Sequence, residues 1–395
     1  MNAEPDTRAR QLGDFQFDIY ERGVRGEVPV VPIAAEELRE RARAVLAPQA
    51  YGYVAGAAGS ERTLEANARA FERWQIVPRM LRDVSVRVTA TNVLGTEMVA
   101  PVLLAPVGVQ SIVHREGELA AARAAAELGV PFILSTASSH SIEEVAAAMG
   151  GSPRWYQLYW PRDRDLAASF VRRAGAAGYE AVVVTLDTWL LGWRPRDLTH
   201  AYLPFLLSEG IANYLTDPVF RAALRLPPEE DMQAAIRHWA YQFANPSVTW
   251  EDLAWLRRQT ELPIVLKGIL HPDDARRARE AGVDAVLVSN HGGRQVDNAI
   301  AALDALPHVR AAVGGELVVL FDSGIRTGAD VFVALALGAD AVCLGRPYVW
   351  GLAIDGQAGV EHVLRCLLAE LDLTLALSGD ASIAEIDASV VAPRP

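Results

Sequence analysis

A repeated alternation of short apolar runs and helical patterns limits the fold of this chain more than any other feature. The runs are PVLLAPVG, PFILSTAS, RWYQLYW and AVVVTLD, then, after a long interruption, LPIVLKG, VDAVLVSNHGG, ELVVLFDSGIR and ADAVCLGRP. Continuous apolar strands that alternate with helices form a parallel sheet covered on both faces. Eight such units predict an α/β protein with a closed (β/α)8 barrel, the TIM barrel, whose functional residues collect at the C-terminal strand ends.

Polar residues or glycines follow nearly every predicted strand. They are Gly108; Ser135 and Thr136; Gln157 and Tyr159; Thr185 and Asp187; Lys267; Ser289, His291 and Arg294; Asp322 to Arg326; Gly345 and Arg346. A doubly wound open sheet is the alternative fold, but no GxGxxG follows the first strand. An open sheet would also concentrate polar residues near one switch point.

The segments outside the barrel predict the rest of the organisation. Residues 1–100 are expected to form an N-terminal arm, helices and a small hairpin that cap the barrel of residues 101–375, and residues 376–395 a C-terminal helix and tail. One amphipathic helix would place Leu38, Ala42 and Val45 on one face. About 80 residues separate Asp187 from Lys267, against roughly 20 to 35 for one βα unit. We therefore expect a lid insertion at about 189–246, since the segment begins at the active face; a subunit contact is the alternative.

Composition disfavours several classes of function. The net charge is −12 and no Lys/Arg-rich run occurs, which disfavours a nucleic-acid partner. Two cysteines without a CxxC exclude a disulfide framework and a thiolate zinc site, and no HExxH or tight His/Asp/Glu cluster suggests a metal enzyme. No apolar run reaches the roughly 20 residues of a membrane span, and no signal-length segment opens the chain. A cytoplasmic protein without membrane contact is the expectation.

The stretch SNHGGRQVD, Ser289 to Asp297, combines an imidazole and a guanidinium after a predicted buried strand. His291 can accept a proton, and Arg294 can hold two carboxylate oxygens in a fork. Glycines beside them let the backbone approach a ligand closely. The alternative is a solvated loop in which the two residues coincide by chance, and the polar ends of the other strands favour the functional interpretation.

The remaining strand ends predict a site for a phosphate-bearing ligand. Turns in DSGIRTG and LGRP supply backbone N–H groups and two arginines. Ser135, Gln157 and Thr185 suit the edge of a heteroaromatic ring. Lys267, the only lysine in the chain, could form a Schiff base, contact phosphate or balance an anionic cofactor ring. The absence of a second lysine to lower its pKa disfavours the Schiff base.

Four motifs together resemble the FMN-dependent 2-hydroxy acid oxidizing family: SNHGGRQVD, DSGIRTGADVFVALALGADAVCLGRP, YQLYWPRDR and TLDTWLLGWRPRD. The resemblance extends from about Tyr51 to the C-terminal helices and implies a TIM barrel that binds FMN across the strand ends. The catalytic roles that it implies are a base at His291 with Asp187 stabilising its charged form, a carboxylate clamp of Arg194 and Arg294, hydroxyl donors at Tyr53 and Tyr159, and Lys267 beside N1 and the C2 oxygen of the flavin.

The resemblance also implies which residues contact FMN. The phosphate would lie on the Asp322 to Arg326 turn and on Gly345 with Arg346. The full set of implied contacts is Pro106, Val107, Gly108, Ser135, Gln157, Thr185, Lys267, Ser289, Asp322, Ser323, Gly324, Ile325, Arg326, Gly345 and Arg346.

Local features narrow the expected activity. No heme-binding domain precedes the barrel, so dioxygen is the expected oxidant. Ala137 would give a small wall, Gly108 stands where many oxidases have alanine, and APVGVQ and YGYVAGAAGS resemble lactate 2-monooxygenase. The expected reaction converts L-lactate to acetate, carbon dioxide and water. An L-lactate oxidase, or another short 2-hydroxy acid oxidase that releases pyruvate and hydrogen peroxide, is the alternative.

Two further expectations follow from resemblance. DSGIRTGADVFVALALGADAV also resembles phosphate-binding barrels such as inosine monophosphate dehydrogenase, which need a catalytic cysteine in a loop. Cys343 lies within a predicted strand, which disfavours that class. Members of the 2-hydroxy acid oxidizing family are commonly tetramers or octamers, so a homotetramer or homo-octamer is expected.

Overall fold

Eight parallel strands close into a barrel in the computed structural model, which describes residues 10–395. In chain order the strands of this part are β1 Trp74–Ile76, β2 Thr91–Val93, β3 Thr96–Met98, β4 Val102–Leu104, β5 Phe132–Ser135, β6 Arg154–Leu158, β7 Val182–Thr185, β8 Ile264–Ile269, β9 Ala285–Val288, β10 Val318–Phe321, β11 Ala341–Leu344 and β12 Val391–Pro393. The barrel consists of β4 to β11 in sequential order, with β11 paired to β4. The predicted (β/α)8 barrel is confirmed.

Helices follow every barrel strand. The α-helices are α1 Phe15–Val24, α2 Ala35–Val45, α3 Pro48–Ala55, α4 Arg62–Glu72, α5 Gly117–Glu127, α6 Ile142–Met149, α7 Arg164–Ala176, α8 Pro195–Thr199, α9 Ala212–Leu215, α10 Pro218–Ala222, α11 Met232–Phe243, α12 Leu253–Arg257, α13 Pro272–Glu280, α14 Ala302–Val313, α15 Gly328–Ala336 and α16 Arg346–Ser378. Short 3-10 helices span Leu12–Asp14, Gln110–Ile112, Pro204–Leu207, Trp250–Asp252, His291–Gly293, Ile383–Glu385 and Ala388–Val390. Helix α16 is interrupted by non-helical backbone at Asp355 and Gly356.

The barrel strands are buried on both faces, which explains their continuous apolar sequences. In β5, Ile133 packs inside the barrel with Trp155, whereas Phe132 and Leu134 pack outward against the helices. The parallel register aligns Leu134 with Tyr156. Because each strand has two apolar faces, its sequence lacks the alternation of a half-exposed strand.

The structure differs from the sequence-based expectations at the periphery. The hairpin within residues 1–100 is formed by β2 and β3 and turns at Leu94 and Gly95, both at positive φ. Val45 is 48% exposed, so the buried face of α2 does not include it. The tail after Ser378 contains an unpredicted strand, β12, which pairs antiparallel with β1.

The insertion after β7 lies over the C-terminal end of the barrel. It contains α8 to α11, and its residues Leu191, Arg194, Phe205 and Phe243 line the same cavity as the strand ends. Within residues 10–395, no helix has the length and apolarity needed to cross a membrane. The same part of the chain contains no group of three or more His, Cys, Asp or Glu side chains arranged to hold a metal ion.

Candidate active site

A cavity of about 1120 Å³, including the part open to solvent, lies at the C-terminal ends of the barrel strands. All but four of the predicted site residues line it: Tyr53, Pro106, Val107, Gly108, Ser135, Tyr159, Arg194, Lys267, His291, Arg294, Asp322, Ser323, Gly324, Ile325, Arg326, Gly345 and Arg346. Gln157, Thr185, Asp187 and Ser289 are not among the lining residues, but three of them contact residues that are.

His291 lies on a sharp turn directly after β9. Three consecutive residues, His291, Gly292 and Gly293, have positive φ of 58°, 63° and 78°, a conformation that costs energy mainly at the histidine. The turn places His291 Nδ1 2.8 Å from Asp187 Oδ1 and 3.2 Å from Thr188 Oγ1. Asp187 comes from the loop after β7, so two strand ends assemble the imidazole–carboxylate pair.

The electrostatics of this pair favour a neutral imidazole beside an ionised carboxylate. Burial lowers the pKa of His291, against the opposing effect of Asp187. Burial would raise the pKa of Asp187, but the positive charge of Lys267 and the contact with His291 outweigh it and hold that pKa below its usual value. Because an ionised carboxylate can only accept hydrogen bonds, Nδ1 of His291 donates to Asp187 and Nε2 is left to accept a proton.

Lys267 is 3% exposed and stands between two carboxylates. Its Nζ donates to Ser289 Oγ at 2.9 Å and lies 3.5 Å from both Asp187 Oδ2 and Asp322 Oδ2. Burial alone would lower the pKa of Lys267, but the two carboxylates raise it above the usual value. A lysine held in its charged form is a poor amine nucleophile, so the geometry favours a counter-charge over a Schiff base.

Two arginines adjoin the imidazole. Arg294 Nη1 donates to the carbonyls of Tyr53 (2.5 Å) and Gly56 (2.8 Å), and the guanidinium lies 5.0 Å from the Tyr53 ring centroid. Arg194 comes from the insertion, and its Nε donates to Arg294 O at 3.1 Å. Burial, with Arg194 nearby, lowers the pKa of Arg294 to about 10. Neither guanidinium forms an ion pair with a carboxylate of residues 10–395, so together they form a site for an anion.

A second group of positive charges lines the cavity close to Arg294, since Arg346 and Arg294 both donate to Gly56 O. Arg346 donates from Nε to Val54 O, from Nη1 to Gly292 O and from Nη2 to Gly56 O, each at 3.0 Å. Burial and the neighbouring Arg294 lower the pKa of Arg346. Arg326 lines the same cavity as Arg346 and lies just before α15 begins. Arginines together with a helix N-terminus favour phosphate binding.

The residues of the cavity fit FMN. Gln157 Nε2 and Thr185 Oγ1 are buried without a hydrogen-bond partner among residues 10–395, which is costly unless a ligand supplies one. A Cβ built on Gly108 would lie 2.6 Å from Ala137 O, so this wall has room only for glycine. Neutral polar atoms for a ring, Lys267 for its negative charge and arginines for a phosphate match the chemistry of a flavin nucleotide.

Sequence reasoning missed several residues of the site. Thr188 Oγ1 donates to Asp187 Oδ1 at 2.9 Å, and Gln295 contacts both Asp187 and Arg194. Both are adjacent to predicted residues, which is a usable signal. Phe243 ends α11 and lines the cavity, but no spacing pattern in the insertion indicates its position. Cys343 lines the cavity from within β11, which confirms that it lies in a strand.

Comparison with known proteins was made by sequence and by structure. The profile of the family described as FMN-dependent dehydrogenase matches residues 42–393. The chain is 46% identical over 378 residues to the FMN-dependent alpha-hydroxy acid dehydrogenase qulF of Penicillium citrinum, covering 95% of this chain and 94% of that protein. It is 44% identical over 366 residues to an L-lactate oxidase of Lysinibacillus sphaericus (strain C3-41), covering 93% and 94%.

A solved structure has the same architecture. Mandelate oxidase with (S)-4-hydroxymandelic acid superposes with a TM-score of 0.82 at 41% identity, over 92% of this chain and 99% of that one. The sequence match and the structural match both extend over nearly the whole chain.

Proposed function

The chain belongs to the family of FMN-dependent dehydrogenases, and from that premise we propose that it oxidises L-lactate with dioxygen. It is an FMN-dependent 2-hydroxy acid oxidoreductase, as the matched family and its relatives establish. The choice of L-lactate, the oxidant and the roles of individual residues belong to the proposal.

One observation supports the residue roles: a single neutral imidazole faces the same cavity as two arginines without carboxylate partners. A 2-hydroxy acid has one carboxylate, one hydroxyl group and one hydrogen on the carbon to be oxidised. Arg194 and Arg294 would bind the carboxylate, and Nε2 of His291 would accept the proton that leaves the substrate. Asp187 would stabilise the resulting imidazolium.

The tyrosines and Lys267 complete the proposed site. Burial raises the pKa of Tyr159 to about 12, so its hydroxyl stays protonated and can donate a hydrogen bond to the substrate. The hydroxyl group of Tyr53 would also donate a hydrogen bond to the substrate. When bound, FMN supplies the electron acceptor, and Lys267 would hold the negative charge of the reduced ring.

The name L-lactate oxidase, borne by two of the relatives, supports a short substrate. Phe205 and Phe243 also narrow the cavity on the side of the insertion. A second candidate is a bulkier aryl 2-hydroxy acid, since the structural relatives are mandelate oxidases and Ala137 gives a small wall. Anaerobic flavin bleaching with lactate, glycolate and mandelate separates the candidates, and a kcat/KM for mandelate above that for lactate would contradict the proposal.

We further propose that the insertion retains pyruvate while oxygen reacts. An aromatic cluster joins it to the barrel: Phe205 and Trp239 stack at 4.7 Å, Trp239 and Phe243 lie 5.3 Å apart, and Phe243 contacts Tyr159 at 5.1 Å. Enclosed hydrogen peroxide would then convert pyruvate to acetate, carbon dioxide and water. The alternative, an oxidase that releases pyruvate and peroxide, is supported by the names of the relatives.

Product analysis under air tests this proposal. Acetate and carbon dioxide formed in proportion to the lactate consumed, with little free peroxide, is the expected result. Free pyruvate and peroxide formed in equal amounts, measured with catalase absent, would identify an L-lactate oxidase. No bleaching of the flavin by any 2-hydroxy acid without oxygen would reject the proposed substrate class itself.

A further inference from the structure

Gln295 follows Arg294 and directs its carboxamide to one neighbouring segment, residues 187–194. Its Nε2 donates to Asp187 O at 2.8 Å and to Leu190 O at 2.9 Å. Its Oε1 accepts from Arg194 Nη2 at 2.5 Å and, more weakly, from Gly192 N at 3.4 Å. The amide nitrogen and the amide oxygen of Gln295 therefore both form hydrogen bonds with residues at the start of the insertion.

Trp189 of the contacted segment packs against the hydrophobic core, but the residues that follow it have little apolar anchoring. Leu190 and Trp193 are 59% and 73% exposed, so their burial does not hold the chain in place. The backbone nevertheless lies tightly against the His291 loop, because a Cβ built on Gly192 would be 2.5 Å from Arg294 O. Polar contacts, those of Gln295 and the hydrogen bond from Gly59 N to Trp193 O, therefore help to position residues 190–194.

The same contacts fix the direction of Arg194, which is 7% exposed. Its guanidinium is held by two neutral acceptors, Arg294 O and Gln295 Oε1. Neutral acceptors orient the group without cancelling its charge, so the full positive charge faces the cavity. A glutamate at position 295 would instead pair with Arg194, neutralise it and lose both donated hydrogen bonds.

We propose that Gln295 is a positioning residue that directs Arg194 toward the substrate carboxylate and binds the start of the insertion to the loop of His291. This inference rests on the proposed function, since it assigns the anion site to a carboxylate. Gln295 acts through Arg194 and through the Asp187 backbone, and it needs no contact with the substrate.

Two variants of the holoenzyme test the proposal. Gln295→Met keeps the size of the side chain and removes its hydrogen bonds, whereas Gln295→Glu keeps the shape and adds a charge. The probe is oxalate, an unreactive dicarboxylate, whose dissociation constant is measured by the change in flavin absorbance. We expect a rise of about tenfold in Gln295→Met and a larger rise in Gln295→Glu. KM for lactate should rise in parallel, with the limiting rate of flavin reduction changed much less.

Gln259→Glu makes the same chemical change near the N-terminal end of β8, where the Gln259 side chain donates to Trp255 O, and should leave all these values unchanged. FMN content and melting temperature identify variants that are merely misfolded. Oxalate affinity within about twofold of wild type in both folded variants would overturn the proposal. Oxalate binding does not need turnover, so failure of lactate to reduce the flavin would reject the proposed function while the role of Gln295 is still measured.

Discussion

His291 and Asp187 are 104 residues apart in sequence and 2.8 Å apart at their side chains. Their pairing depends on two strand ends of a closed barrel, and Thr188 and Lys267 add a second layer of contacts around the carboxylate. The buried negative charge of Asp187 opposes the effect of burial on His291, so it determines how strongly the imidazole holds a proton.

Asp187→Asn should lower turnover by up to about 10²- to 10⁴-fold, the range attributed to general-base catalysis, because the imidazolium of His291 loses the carboxylate that stabilises it. The proposed base acts when neutral, so kcat/KM falls as pH drops through the pKa of His291. Asp187 raises that pKa, and its removal should move the acid limb of the pH profile to lower pH. Steady-state profiles of the variant and of Asp273→Asn, an exposed control, measure both effects. An acid limb moved to higher pH would contradict the assignment.

Gly108 lies where its backbone closely approaches the backbone of Ala137. Gly108→Ala would place a methyl group 2.6 Å from Ala137 O, so we expect a loss of about 1–3 kcal/mol in the free energy of unfolding. Gly151→Ala is the matched control, because nothing lies within 4 Å of a Cβ built there. Urea denaturation of both variants measures their free energies of unfolding. Equal values would show that the backbone at Ala137 moves aside to accommodate the added methyl group.

At the level of elements, the insertion supplies one side of the cavity through α11 and the 3-10 helix Pro204–Leu207. Its aromatic residues pack on each other and on Tyr159, which follows β6. The insertion therefore contributes to the substrate site as well as covering it, since Arg194 also belongs to it.

Phe243→Ala should open this wall and let product escape sooner. We expect a higher yield of free pyruvate and peroxide per lactate consumed than in the wild type, together with a higher KM. Tyr241→Ala changes an exposed aromatic residue of the same helix and serves as control. Peroxide detection and acetate analysis measure how much of the product leaves as free pyruvate and peroxide and how much as acetate. An unchanged ratio of peroxide to acetate would show that the aromatic cluster does not retain pyruvate.

The barrel was predictable because its strands are buried on both faces, and the positions of His291, Lys267 and the arginine-bearing turns followed from their strand ends. For the insertion, only its approximate bounds could be predicted from the sequence. The contacts of Phe243 and Gln295 depend on the path of its backbone, which no local pattern specifies. The β1–β12 pair was missed for the same reason, because it joins three-residue strands at distant points of the chain.

At the level of the whole molecule, a buried carboxyl group connects stability to pH. Glu118 Oε1 accepts from Gln110 N at 3.0 Å and Ser139 N at 3.2 Å, while Oε2 has no partner. Burial raises the pKa of Glu118 to about 7. The unfolded chain releases this proton at lower pH than the folded one, so stability falls as pH rises between the two pKa values.

Glu118→Gln should remove this pH dependence. At about pH 8 the variant should gain up to about 3 kcal/mol in the free energy of unfolding, and below about pH 4.5 the gain should vanish. Chemical denaturation across this range, with Glu127→Gln as an exposed control on the same helix, tests the sign. A variant less stable than wild type at the higher pH would show that the ionised carboxylate is favourable in the fold.

The carbonyl oxygen of Gly56 accepts hydrogen bonds from both Arg294 and Arg346. A ligand that moves either guanidinium therefore changes the hydrogen bonding of the carbonyl that holds the other guanidinium. Where binding of a phosphate at Arg346 changes the affinity of Arg294 for a carboxylate, thermodynamic reciprocity requires that the carboxylate change retention of the nucleotide by the same factor.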